Sequence, residues 1–391
     1  MNEMPPEWSK TLLGDVVKKI TSGGTPKVDN PLFYGGDIPF LKIDDITASF
    51  KYLRSHKTTI TELGLQESSA KVVPAGTLLI TMYGTIGKCC ITTYPVTTNQ
   101  AIACFLDHPK IDLNYFYYCL SEKANDFSVA SSQTTQANIS ATILKQTSIA
   151  LPPLPEQKKI AEILSGIDDC LRSLDKKRKK LTNLKFALIN SLLLFNEVSQ
   201  QNLQDVCSSD VCYGILQYDD SPDKSIPVVQ INNFDNFESN NFKKVSKLLD
   251  QKYSRSRVKG GDLLISVKGS VGKAMVLPDN FNGNISRDVA RISLYKEKVL
   301  PQFIRLWMIS THGSCALNQL VVGTTRKEIS IGKLRRLNIP IPKIELQKNY
   351  CNKIEELERN IDFLEKKIKS INRLKISISS DLLSGHKRVS V

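Results

Sequence analysis

Residues 151–195 read LPPLPEQKKIAEILSGIDDCLRSLDKKRKKLTNLKFALINSLLLF. Pro152, Pro153 and Pro155 stop whatever precedes them and impose an extended approach. Beyond Glu156 the stretch holds no proline, and its one glycine is Gly166. Ile160, Ile167, Leu174, Leu181, Leu188 and Phe195 then recur every seven residues, and Ile163, Leu164, Leu171, Leu184 and Leu192 widen the stripe. Sustained heptads of this kind predict a long helix with a coiled-coil seam. At a rise of ~1.5 Å per residue the rod is roughly 60 Å long, more than a globular core needs, so it calls for a partner rod.

The partner lies in the same chain. From Pro342 the sequence runs PKIELQKNYCNKIEELERNIDFLEKKIKSINRLKISISSDLLSG. Ile354, Ile361, Ile368 and Leu382 form one column, interrupted by Lys375; Leu357, Leu364, Ile371 and Ile378 form the other. Gly385 is the expected C-terminal stop. The expected helix-to-helix seam is therefore Ile160, Ile167, Leu171, Leu174, Leu181 and Leu188 against Ile354, Leu357, Ile361, Leu364, Ile368 and Ile371.

The segments between the rods repeat. IPFLKIDDI (38–46) matches IPVVQINNF (226–234), GTLLITMYGTIGKCC (76–90) matches GDLLISVKGSVGKAM (261–275), and TTQANIS (134–140) matches TTRKEIS (324–330). LPPLPEQ (151–157) has a weaker echo in IPIPKIELQ (339–347), where the second Pro-Pro and the Glu of Glu-Gln are missing. Landmarks in one order at a period near 190 mark a whole-domain duplication. Short apolar runs between turn residues predict mixed α+β units. The expected organisation is a globular domain at 1–152, a long helix at 153–196, a second such domain at 197–342, a second long helix at 343–385 and a tail at 386–391. The expected fold class is α+β with an internal repeat and two long helices.

The chain carries 53 basic and 39 acidic residues, a net charge of +14. Such a surplus points to a polyanionic partner. Nine scattered cysteines without a CxxC pair and four separated histidines point to a reduced, cytoplasmic protein without a metal cluster. The N-terminal MNEMPPEWSK has no signal-peptide core, and no apolar run approaches the ~18 residues of a membrane span.

GTIGK (84–88) and GSVGK (269–273) have two residues between their glycines where a phosphate-binding P-loop needs four. Met82 and Val267 occupy the position of the missing glycine, and no Ser or Thr follows the lysine. Nucleotide binding is rejected. Two readings remain: a tight strand-to-strand turn, or a turn whose N–H groups and Lys88 or Lys273 meet a DNA phosphate. Tyr83 and Lys268 belong to the same turns. In the polar loops, Thr134, Thr135, Thr324 and Thr325 are retained in both copies and read as scaffold or backbone contacts, with Lys327 beside them. Gln136 against Arg326, and Lys42 against Gln230, differ between copies and are the candidates for base discrimination. The basic run 176–180 reads as a solvated helix face. No Asn-Pro-Pro-Tyr-like methyltransferase motif, glycine-rich cofactor loop or nuclease carboxylate cluster is present, so no catalytic residue is assigned.

Two variable α+β units, each followed by a Pro-Pro-Leu-x-Glu-Gln-like turn and a long helix, resemble the specificity subunit of type I restriction–modification systems. LPPLPEQKKIAEIL is similar to that family's helix start, and the IPFLKIDDI, GTLLITMYGTIGK and TTQANIS blocks are similar to its target-recognition domains. The resemblance implies that 1–152 and 197–342 are target-recognition domains, each reading one half of a split double-stranded DNA site. It also implies that the two long helices are spacers that pack antiparallel, related by a pseudo-twofold axis. It implies a non-catalytic subunit, without a cofactor of its own, that recruits two methyltransferase subunits using S-adenosylmethionine. Restriction subunits using ATP and Mg are the further partners it implies. The rival expectations are a stand-alone DNA-modifying enzyme with an unrecognised site, and a coiled-coil scaffold that binds only protein.

Overall fold

In a computed structural model the described residues are 5–132, 138–191, 198–239, 241–323 and 327–390. The chain divides into two compact units: one of residues 1–174 with 367–391, the other of residues 175–366. The first rod is one α-helix, Leu154–Asn190, and the second is one α-helix, Ile344–Ser384. Each contributes one part to each unit.

In the first unit a four-stranded sheet has the order Lys19–Ser22, Ile102–Leu106, Leu78–Thr81, Cys89–Ile91. A three-stranded sheet has the order Thr58–Ile60, Tyr34–Leu41, Thr97–Thr98, the last pair parallel. The central strand LLIT is buried at all four positions, as a strand covered on both faces must be. The aromatic stretch at 113–127 forms two helices, Leu113–Glu122 and Ala124–Ser132. Tyr115, Phe116 and Tyr118 are buried, so these rings belong to the core.

The second unit repeats this order. Its four-stranded sheet runs Cys212–Tyr213, Val289–Ile292, Leu263–Ser266, Ala274–Val276. The registers agree: Leu78 pairs with Ile91 and Phe105 as Leu263 pairs with Val276 and Ile292. A second sheet again holds one parallel pair, Lys224–Val229 with Asn282–Ile285. In each unit a short antiparallel pair closes the α+β part at the foot of a rod: Ser9–Leu12 with Ser148–Leu151, and Ser199–Asn202 with Asn338–Ile341.

The rods start alike despite the weaker second motif. Gln157 is buried; its Oε1 accepts from the Asp112 N–H at 2.7 Å, and its Nε2 donates to Pro152 O at 2.8 Å and Lys110 O at 3.2 Å. Gln347 accepts from the Leu300 N–H at 2.9 Å and donates to Pro342 O at 2.8 Å and Lys298 O at 3.1 Å. The glutamine alone satisfies these backbone groups, so loss of the Glu and of the second Pro-Pro leaves the start intact. Glu156 has a role only in the first unit. Almost fully buried, it accepts from Trp8 Nε1 at 3.0 Å and from Arg388 at 2.8 and 3.1 Å. Gly385 ends the second rod at φ 80°, and a Cβ there would lie 2.7 Å from Pro5 Cδ.

The seam residues are not all alike. Ile160 shares a core with Leu382 and Leu383 of the second rod and with the strands of the four-stranded sheet. Ile354 does the same in the second unit, with Leu188 packed at the edge. Ile361 and Leu364 are buried, whereas Ile167, Leu171, Leu174, Leu181, Leu188, Leu357, Ile368 and Ile371 are half-buried. Leu184 corrects the expected stripe: it is 54% exposed, because the covered face runs through Leu181, Lys185 and Leu188 and leaves Leu184 on the outer side. Leu192 lies outside the described residues. Lys375 does not simply interrupt its column; it reaches Asp168. In the basic run, Arg178 pairs with Asp175 and Glu365, and the flanking lysines are exposed. Among the described residues no helix is long and apolar enough to cross a membrane.

Candidate nucleic-acid interface

The GxxGK segments are turns held from inside by one hydroxyl. Buried Thr81 ends its strand, donates to Thr85 O and accepts from the Lys88 N–H at 3.0 Å. Ser266 repeats this with Ser270 O and the Lys273 N–H at 2.9 Å. Gly84 and Gly87 take φ 63° and 82°, Gly269 and Gly272 take 72° and 89°, a region costly for other residues. A Cβ on Gly87 would also meet Ala124 Cα at 2.9 Å. The Lys88 and Lys273 amides are thereby occupied by the staple. The Lys88 side chain is exposed beside its turn.

Three segments far apart in sequence meet at each turn. In the first unit Tyr83 bridges Asn138, and the Ile139 N–H donates to Met82 O at 3.0 Å. This brings the polar loop beside the turn. Ile43 Cδ1 lies 3.7 Å from where a Cβ on Gly84 would sit, which brings in the short helix Ile43–Ala48 that follows Lys42. In the second unit Lys268 bridges Glu328 and holds its carboxylate at 3.1 Å, and the Gly269 N–H donates to Lys327 O at 3.0 Å. Lys273 Nζ pairs with Asp235 Oδ2 at 2.5 Å, just past the 3-10 turn Ile231–Asn233 that follows Gln230. Candidates Lys42, Tyr83 and Lys88 thus gather in one unit, and Gln230, Lys268, Lys273 and Lys327 in the other. Thr134, Thr135, Gln136, Thr324, Thr325 and Arg326 lie outside the described residues, although the ends of their loops are fixed here.

Lys42 and Gln230 share one backbone role. The Lys42 N–H donates to Asp45 Oδ2 at 2.9 Å, and the Gln230 N–H donates to Asn233 Oδ1 at 2.8 Å. The capping position is kept, a carboxylate in one unit and an amide oxygen in the other, while the side chain before it changes. Tyr218, missed in the sequence because it lies outside the repeated blocks, holds Gln230: Nε2 donates to its hydroxyl at 3.1 Å, and Lys243 Nζ sits 4.9 Å from the ring centre. Asp235, equally unanticipated, occupies Lys273. In the first unit the exposed Tyr83, Lys42 and Lys88 form a polar, mostly cationic set suited to phosphates and base edges, and in the second unit Lys327 is likewise exposed.

The family model for the type I restriction modification DNA specificity domain matches residues 5–183 and 196–373. Over 79% of this chain and 73% of its own length, the EcoBI type I restriction enzyme specificity subunit of Escherichia coli is 26% identical. A putative type I restriction enzyme specificity subunit, MjaX, of Methanocaldococcus jannaschii is 26% identical over 100% of this chain and 96% of its own length. The fold is also that of a solved chain from a study of complex assembly and conformational transition of the type I R-M system, at a TM-score of 0.62 and 17% identity over 99% of this chain and 100% of that one. The S subunit of M. genitalium aligns at a TM-score of 0.56 and 15% identity, over 98% and 97% of the two chains. Two matched copies, each holding the same three-segment cluster at the same place, place this chain in the type I restriction modification DNA specificity family.

Proposed function

We propose that each recognition domain reads one half of a bipartite double-stranded DNA site through the cluster built on its GxxGK turn, and that the chain performs no chemistry of its own. The observation that carries this reading is the pairing of constant backbone with variable side chains. The hydroxyl staple and the cap are kept in both units, while Lys42 becomes Gln230 and Tyr83 becomes Lys268. A scaffold that repeats while its outward groups change suits two readers of different sequences. The net charge of +14 supplies sequence-independent attraction to phosphates. The chemistry belongs to partners: two methyltransferase subunits that use S-adenosylmethionine, and restriction subunits that use ATP and Mg. The complex works in the cytoplasm.

Exchange of residues 1–152 for the matching part of a relative tests the reading. Methylation mapping of cells carrying the chimera is expected to show one altered half-site and one unaltered. A simultaneous change of both halves would refute two independent readers.

A further inference from the structure

Lys51 keeps 5% of its surface exposed. A lysine so buried requires partners for its ammonium. Its Nζ donates to Ser165 Oγ of the first rod at 2.7 Å and lies 4.7 Å from the centre of the Tyr118 ring. The Tyr118 hydroxyl donates to Asp168 Oδ2, also on the rod, at 2.8 Å. The neighbours of Lys51 are engaged too. The Arg172 guanidinium of the rod lies 5.9 Å from the Phe50 ring, and the Tyr52 hydroxyl donates to Asn114 Oδ1 at 2.8 Å.

The backbone of this segment is stitched to the strand Cys89–Ile91. The Ile91 N–H donates to Lys51 O, and the Leu53 N–H donates to Ile91 O, both at 2.8 Å. That strand starts directly after Lys88 of the GxxGK turn. One continuous path therefore runs from the rod, through the Lys51 ammonium and one strand, to the candidate DNA-facing turn. The second unit lacks the parts. The positions corresponding to Lys51, Tyr118 and Ser165 are Ser239, Leu306 and Glu355, and Ser239 Oγ donates locally to Asn236 O at 2.8 Å.

We propose that Lys51 is a positioning residue: its ammonium latches the first recognition domain to the first rod and so sharpens the separation between the two half-sites that the protein accepts. This rests on the DNA reading proposed above. Burial lowers the Lys51 pKa to about 8; Arg172 adds to that push, while Asp168, Asp112 and Asp169 oppose it. Tyr118, Tyr117 and Tyr52 facing it are all shifted upward by burial and stay neutral. Lys375 is the next charge out, beyond Asp168. As pH passes 8 the latch loses its cation, and with it the attraction to Asp168 and to the Tyr118 face.

The test is selection of bound duplexes from a random-sequence library by the full chain in its assembled complex, below and above pH 8, reading the spread of spacer lengths between enriched half-sites. The wild-type protein is expected to hold one dominant spacer below that pH and to lose about tenfold of its preference above it, the loss of one charged hydrogen bond. Lys51→Arg keeps a cation and is expected to stay narrow at both pH values. Lys51→Met is expected to be broad at both, with the second half-site unchanged in sequence. A wild-type spacer distribution indifferent to pH, or Arg and Met variants that both follow the wild type, would overturn the latch. Failure of the wild type to enrich any site would overturn the DNA reading and the latch together.

Discussion

Lys375 of the second rod donates to Asp168 of the first at 2.5 Å, and Lys185 of the first rod donates to Glu358 of the second at 3.5 Å. Glu358 lies 190 positions after Asp168, and Lys375 lies 190 after Lys185. The acid comes from the first rod in one unit and from the second in the other. Antiparallel pairing of two equivalent helices requires this exchange of roles. Asp168 retains 19% of its side-chain exposure and Lys375 29%, so the pair is shielded beyond an ordinary surface bridge.

Asp168→Lys is therefore expected to cost about 1–3 kcal/mol, because Lys375 and the Tyr118 hydroxyl both lose their acceptor. Adding Lys375→Asp should return part of that loss. Denaturant unfolding of the two single variants and the double variant gives the coupling; a value of zero would mean that the pair is incidental.

Gln157→Ala and Gln347→Ala each leave two carbonyls and one amide without their partner. Each variant is expected to lose on the order of 2–4 kcal/mol. Equal losses in chemical unfolding would show that the glutamine carries the helix start in both units. A loss confined to Gln157→Ala would show that the Glu-Gln pair is needed as a whole.

Asp235→Asn tests what occupies Lys273. Their exposed ion pair is worth ~0–1 kcal/mol, so DNA phosphate can compete for the lysine, and its removal frees the cation. The variant is expected to bind DNA more tightly at low salt. Lys88→Ala should instead weaken binding across sequences and reduce the salt slope by about one. Titrations at several salt concentrations measure both. An Asp235→Asn variant that binds more weakly would make the ion pair part of the reading surface.

Burial by itself raises the Glu156 carboxyl pKa, but hydrogen bonds from Arg388 and Trp8 outweigh it and the net direction is downward. A carboxyl so depressed contributes stability that is present above its unfolded pKa and lost as pH falls through the folded value. Melting temperature is expected to fall in acid more steeply for the wild type than for Glu156→Gln. The variant itself should be less stable near neutrality, because Arg388 loses a charged acceptor. Parallel profiles for the two proteins would remove Glu156 from the acid transition.

Cys170 and Cys315 are exposed, and the other seven thiols are buried. Burial pushes Cys119 and Cys351 up to about 12, so their thiolate fraction at neutral pH is negligible. A thiol reagent is expected to modify two residues in the native chain and all nine after unfolding. Fast native labelling of a third would locate an opening of one core.

The rods, the duplication and the α+β class were readable because each follows from a one-dimensional period: seven residues for the seam, about 190 for the repeat. The three candidate segments of each unit were also named from sequence, since the repeat singles them out. Their meeting at one turn was not readable, because it depends on bridges such as Tyr83–Asn138 between strands brought together by the sheet. The GxxGK turn left two readings open in sequence; the Thr81 and Ser266 hydroxyls, seven positions before the lysines, explain its shape as a staple. Leu184 followed the apolar pattern yet faces outward, since a column names a face only once its partner is in place. The Lys51 latch gave no signal at all. Its partners lie 67 positions away at Tyr118 and 114 at Ser165, and an isolated lysine carries no period. Local chemistry and periodicity are written along the chain, whereas the pairing of single polar groups is decided by which surfaces the packed core brings within a few ångströms.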